Sequence, residues 1–173
     1  MSSWRKPAVN ETWVVNASPV ISLARVGYLD LLSPLATEVL IPEAVVGEVL
    51  AGAPTDPARK ALESGWGRRA SPREIPSSVL EWSLGAGESA VLALALERPG
   101  SRAVLDDAAA RSCARVLGVP VIGTLGIVLQ AKRAGLISSA SQVIQSLQGI
   151  GFRLDTETLR AALLRATGEA WES

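Results

Sequence analysis

The sequence predicts an α/β domain built around a parallel β-sheet, and three strand-to-helix stretches carry that prediction. The clearest runs from Arg102 to Gly126, RAVLDDAAARSCARVLGVPVIGTLG. There Ala103, Val104 and Leu105 form a short apolar run closed by Asp106 and Asp107, while Ala110, Cys113, Ala114 and Leu117 recur at helical spacing. Arg111 and Arg115 share the other side of that helix. Gly118 ends it, Val119 to Ile122 reads as a strand, and Gly123-Thr124 breaks the strand with Thr124 placed to cap the next helix. A strand, helix and strand in so short a stretch form a parallel βαβ unit. In open parallel sheets ligands sit at the carboxyl ends of strands, where Asp106, Asp107 and Thr124 fall. The structural alternative is that one aspartate only caps the helix.

Earlier in the chain, Met1 to Glu11 shows no periodicity and reads as a loosely held arm, with Trp4 available to pack on the surface. Thr12 to Val15 is a β-rich run followed by Asn16-Ala17-Ser18-Pro19, a turn in which Ser18 suits an N-cap and Pro19 a first helical turn. Val20, Leu23 and Ala24 continue an apolar stripe to Gly27, and Tyr28 to Leu32 reads as a further short turn of helix. Thr37 to Ile41 is the second strand, and Pro42 opens a helix with Val45, Val46, Val49 and Leu50 inward. Glu48 on that helix reaches a central site if the helix leans over the sheet; otherwise it is an exposed helical acid.

Gly52 to Pro57 is a loop and Ala58 to Ser64 a short helix. WGRRASPREIP then sets Arg68, Arg69 and Arg73 beside Trp66, a composition that suits contact with a nucleic-acid backbone and equally suits a solvated edge strand over Trp66 to Ser71. Ser77 to Leu84 is helical, and Gly85-Ala86-Gly87-Glu88 opens a strongly apolar helix, Ser89 to Glu97. The glycine pair is no phosphate loop, because no Gly-Lys-Ser/Thr follows. Glu88 sits in a first turn, where the helix dipole alone favours a negative charge by about 0.3–1 kcal/mol. After the central unit, Ile127, Val128, Ala131, Lys132 and Arg133 make a helix ended by Gly135. Ser138 to Leu147 is another, Phe152 to Leu154 reads as an edge strand, and Asp155 or Thr156 caps a terminal helix striped with Leu159, Ala162, Leu163 and Ala166.

Composition narrows the chemistry. The 173 residues include no histidine, which removes the usual general base, the Ser-His-Asp and Cys-His nucleophile systems and imidazole ligands for zinc. The single cysteine, Cys113, excludes a disulfide framework and reads as a small core residue. Carboxylates must then carry any catalysis, and they suit Mg²⁺ or Mn²⁺, hard cations that prefer oxygen. Seventeen basic and seventeen acidic residues balance, so no global field draws in a polyanion. The distribution is uneven, however: no Asp or Glu lies between Ala108 and Leu154, a stretch holding Arg111, Arg115, Lys132, Arg133 and Arg153. With no apolar run of about 20 residues and no signal-peptide pattern, the expectation is a soluble cytoplasmic protein without membrane contact.

Taken together, VVNASPVISLARVGYLDLL, IPEAVVGEVL, GAGESAVLALALE and VLDDAAARSCARVLGVPVIGTLGIVLQAKRAGLI resemble, in order and over roughly Trp13 to Ile137, the PIN domain in its DUF3368 branch. The resemblance implies a three-layer α/β/α sandwich around a central parallel sheet. It divides the chain into the arm, residues 1–11, a PIN-like domain, 12–137, and a C-terminal helical extension packed on the same domain, 138–173. It further implies a metal-dependent single-strand ribonuclease, possible toxin of a toxin–antitoxin pair, homodimeric, with single-stranded RNA and an antitoxin protein as partners. Carried over by position, the acids fall on Asn16, Glu48, Glu88 and Asp106, with Asp107 beside the last. These would hold one or two Mg²⁺ or Mn²⁺ ions to activate water. Ser18 matches the family's small hydroxyl residue, Thr124 this branch's Gly-Thr turn, and Arg111 is a candidate phosphate contact. Asn16 departs from the pattern: a neutral amide in place of an acid removes a charge and weakens metal binding. The alternative implied by that departure is a catalytically impaired PIN-like module that binds nucleic acid or regulates.

Overall fold

The computed structural model describes residues 11–171. Trp4 and all of the expected arm except Glu11 lie outside the described residues. Five strands form one sheet: β1 (Thr12–Val15), β2 (Glu38–Ile41), β3 (Arg68–Arg69), β4 (Arg102–Val104) and β5 (Val121–Ile122). Their order is β3-β2-β1-β4-β5, and every pairing is parallel. The chain winds outward from β1 through β2 to β3, then returns past β1 to β4 and on to β5. Crossovers in opposite directions from β1 put helices on both faces, giving the three-layer α/β/α sandwich.

The helices are α1 (Ala17–Arg25), α2 (Leu32–Leu35), α3 (Glu43–Leu50), α4 (Pro57–Glu63), α5 (Ser77–Leu80), α6 (Ala86–Glu97), α7 (Ala108–Val116), α8 (Thr124–Arg133), α9 (Ala140–Gly149) and α10 (Thr156–Thr167). A 3-10 turn, Leu29–Leu31, precedes α2. Because both faces of the sheet are covered, its central strands lack the polar alternation of a half-exposed sheet: Trp13, Val14 and Val15 are all fully buried, as are Ala103 and Val104. Helix α6 is enclosed on every side from Ser89 to Ala95, which explains its near-continuous apolar sequence. Cys113 lies in this core, where burial pushes its thiol pKa up.

Several local expectations are corrected. Asn16, not Ser18, is the N-cap residue of α1, since its extended backbone (φ −90°, ψ 166°) precedes a helix that begins at Ala17. Gly123 takes the same position before α8, so Thr124 is the first helical residue rather than the cap. Helix α5 stops at Leu80 instead of Leu84, and the chain then places Ser83 at φ 50°, incompatible with a continuing helix. Pairing at β3 is limited to Arg68 and Arg69. Arg68 is joined to Glu38 and Arg69 lies 3.9 Å from Glu43, so the basic segment is an ion-paired sheet edge. Phe152 to Leu154 adds no strand. The Phe152 amide donates instead to Leu147 O of α9 at 3.0 Å, which holds this segment to the preceding helix and leaves the outer edge of β5 open.

Candidate functional site

Reversal of winding between β1 and β4 creates a crevice at their carboxyl ends, the place where open parallel sheets bind ligands. Asn16 leaves β1 there, and its backbone N–H donates to Val104 O at 3.1 Å, tying the ends of β1 and β4 together. The Asn16 side chain is only 2% exposed. Its Nδ2 donates to Glu88 Oε1 at 3.2 Å, reaching the first turn of α6. Glu48 comes from α3, where it is exposed, and its Oε1 accepts from the Gly87 N–H at 3.0 Å. Three elements thus converge over Gly87. A β-carbon at that glycine would stand 2.6 Å from Glu48 Oε1 and 2.9 Å from Asn16 Oδ1, so only glycine allows the approach.

This arrangement leaves one polar atom unanswered. Asn16 Oδ1 is buried without a hydrogen-bond partner, and the nearby Glu48 oxygen is also an acceptor. A buried acceptor without a donor costs about 1–3 kcal/mol, so a hydrogen-bond donor or a cation is the natural complement of this spot.

The aspartates at the end of β4 lie apart from that group. Asp106 is half-buried, and Thr124 occupies both its oxygens: the Thr124 N–H donates to Oδ1 at 2.8 Å and the hydroxyl to Oδ2 at 2.6 Å. Asp107 is exposed and caps α7, accepting from the Ala110 N–H at 2.9 Å. Successive residues leaving a strand point in opposite directions, which separates the two carboxylates. Arg111 Nη1 donates to Leu105 O at 3.2 Å. Gly123 makes room for that guanidinium and for Asp106 Oδ1, both of which a β-carbon at this position would meet. Ser18 is exposed on α1.

Among the described residues, no group of three or more Asp, Glu, Cys or His is placed to hold a metal ion. The structure brings together Asn16, Glu48 and Glu88, while Thr124 engages Asp106 and Asp107 serves α7. Two oxygens converge beside Gly87, one of them neutral, and Glu88 is bonded to the same amide; that donor set is poorer in charge than the multi-carboxylate centre implied by the resemblance. Sequence reasoning passed over Gly87, whose role is a backbone N–H and a missing side chain. It was legible only as the second glycine of GAGE.

The sequence matches the PIN-domain family DUF3368 over residues 12–169. That match runs past Ile137 and takes in α9 and α10. A search of curated proteins finds no match. Nine-tenths of the chain lies within the family match, and the parallel sheet it requires is present: the chain belongs to the DUF3368 branch of the PIN-domain proteins.

Proposed function

We propose that this chain is a PIN-domain module with an impaired hydrolytic site, one that binds single-stranded RNA without cutting it efficiently. The observation that carries the reading is the state of its acids. An amide stands in place of the first acid and donates to Glu88, and the fourth, Asp106, has both oxygens engaged by Thr124. Metal-assisted hydrolysis needs several anionic oxygens free to bind a hard cation and the water it activates. Here hydrogen bonds within the protein answer two of those groups. RNA as the ligand follows from family membership and from the acid-free basic stretch after Ala108.

A metal-dependent single-strand ribonuclease is the second reading. The unanswered Asn16 Oδ1 beside Glu48 Oε1 favours it, because a Mg²⁺ or Mn²⁺ ion would complement both atoms. Asn16, Glu48 and Glu88 would hold that ion, with Asp106 and Asp107 as further carboxylates and Ser18, Arg111 and Thr124 around them. A toxin paired with an antitoxin protein, and a homodimer, belong to this reading through the family; sedimentation and a neighbouring antitoxin-like reading frame test them.

The deciding experiment combines Mn²⁺ calorimetry with cleavage of a single-stranded RNA panel. Under the first reading, wild type leaves the panel uncut at enzyme-to-RNA ratios below one, and Asn16→Asp gains both Mn²⁺ affinity and cleavage. Mn²⁺-dependent turnover by wild type, abolished by combining Glu88→Gln with Asp106→Asn, would establish the ribonuclease instead.

A further inference from the structure

The missing edge strand leaves a groove. Between the open side of β5 and the Phe152–Leu154 segment lies a cavity of about 510 Å³, with Asp106 and Arg111 at one wall. That volume is within the roughly 300–1,000 Å³ of ordinary ligand pockets. Val121, Ile122 and Leu125 supply apolar wall, and Phe152 contributes a partly exposed ring. Arg153 is exposed on the rim.

The groove is basic on balance, with two arginines to one aspartate, for a reason visible in the sequence. Every lining residue except Asp106 comes from the stretch after Ala108 that contains no Asp or Glu. Asp106 itself accepts twice from Thr124, which fixes its orientation at the wall. Two guanidinium groups therefore face the pocket against a single carboxylate, Asp106, which Thr124 holds in place. A ligand suited to it has a flat, weakly polar body for the apolar wall and Phe152, and an anionic group for Arg111 and Arg153. A nucleotide has both, and a stacking ring beside a cation is the usual platform for an unpaired base and its phosphate. An extended peptide added to the edge of β5 fits less well, since that strand offers only Val121 and Ile122 for a main-chain ladder.

We infer that the groove is a binding site for one unpaired nucleotide, whose base stacks on Phe152 while its phosphate is held by Arg153 and Arg111. The inference rests on the RNA-binding reading above and places a nucleotide beside Asp106 at the carboxyl end of β4.

The test titrates wild type and three variants with adenosine and uridine 5′-monophosphates by calorimetry, and with a fluorescein-labelled single-stranded 12-mer RNA by anisotropy. Phe152→Leu keeps an apolar side chain against the core but removes the ring; Arg153→Gln changes an exposed residue; Arg160→Gln, exposed on α10 and not lining the groove, is the control. Thermal melts establish that each variant is folded. Wild type is expected to bind a monophosphate, and Phe152→Leu and Arg153→Gln to weaken monophosphate and RNA by roughly tenfold each, within the range for loss of one base–aromatic stack. Arg160→Gln should match wild type. If RNA binds wild type and both groove variants equally, the groove assignment is overturned while RNA binding stands. If monophosphates bind and lose affinity in the variants but RNA does not bind, the groove stands and the RNA-binding function falls. Failure of both ligands, or binding of an acidic peptide in their place, overturns the nucleotide site.

Discussion

At the scale of single residues, Asn16 decides the character of the site. It is buried, donates to Glu88 and leaves its own oxygen unanswered beside Glu48. Asn16→Asp replaces the donor with an acceptor and adds a charge among two glutamates, so without metal it should destabilise the fold by at least about 1–3 kcal/mol. Added Mn²⁺ should restore part of that loss, because an ion bound only to the folded state stabilises it by mass action. Urea unfolding with and without Mn²⁺ checks both signs; a variant as stable as wild type in the absence of metal would contradict them. Thr124 is the second deciding residue. Thr124→Val keeps shape but leaves Asp106 Oδ2 without its donor, with an expected cost of about 1–3 kcal/mol, whereas Thr124→Ser should cost less than half as much. If Asp106 is thereby released toward Glu88, Thr124→Val also raises Mn²⁺ affinity, which calorimetry reads directly.

Among the elements, one long-range interaction closes the C-terminal end. Helix α9 has no acid in its own first turn, and Glu169, just beyond the left-handed Gly168 that ends α10, supplies one. Its Oε1 accepts from the Ala140 N–H and its Oε2 from the Ser141 N–H, both at 3.0 Å, with the Lys132 ammonium 3.4 Å away. Desolvation pushes the Glu169 carboxyl up. The amides of Ser141 and Ala140, with the Ser141 side chain and Lys132, outweigh that push and hold the pKa at about 2, against 4.5 for an ordinary glutamate. A carboxyl with a depressed folded pKa contributes stability that is complete above 4.5 and is lost as the pH falls toward 2. Glu169→Gln should therefore cost on the order of 2–3 kcal/mol at pH 7, and the gap from wild type should narrow steadily below pH 4.5. Chemical denaturation of both proteins between pH 7 and pH 3 checks this; a gap independent of pH would mean that shape, not charge, makes the contact. None of this was legible in the sequence, because acid and helix start lie about thirty residues apart and meet only when α10 folds back.

For the molecule as a whole, legibility follows the range of the interactions. The parallel sheet could be read from VLDDAAAR and its two companion turns because apolar runs, helical spacing and glycine stops are local. The position of Asn16, Glu48 and Glu88 around one crevice followed from the family resemblance, and the bonds that set their roles join residues up to 72 apart. The groove has no local signature for the same reason: it exists because one segment bonds to α9 instead of to β5. No helix among the described residues is long and apolar enough to cross a membrane. Net charge is zero, so RNA binding has to come from the uneven placement of charge rather than its total. That makes a quantitative prediction. Each phosphate contact on a single strand contributes about −0.7 to the slope of log affinity against log salt. With Arg111 and Arg153 on one phosphate at the groove and Arg115, exposed on α7, on a second, the wild-type slope should be about −1.4, far shallower than that of a strongly basic protein. Arg153→Gln should reduce its magnitude by about 0.7 and Phe152→Leu should leave it unchanged while lowering affinity at every salt concentration. Anisotropy titrations from 25 to about 200 mM salt separate these effects, since a stacking contact releases no counterion and a phosphate contact does. Equal slopes for wild type and Arg153→Gln would remove Arg153 from the RNA path, whatever the loss in affinity.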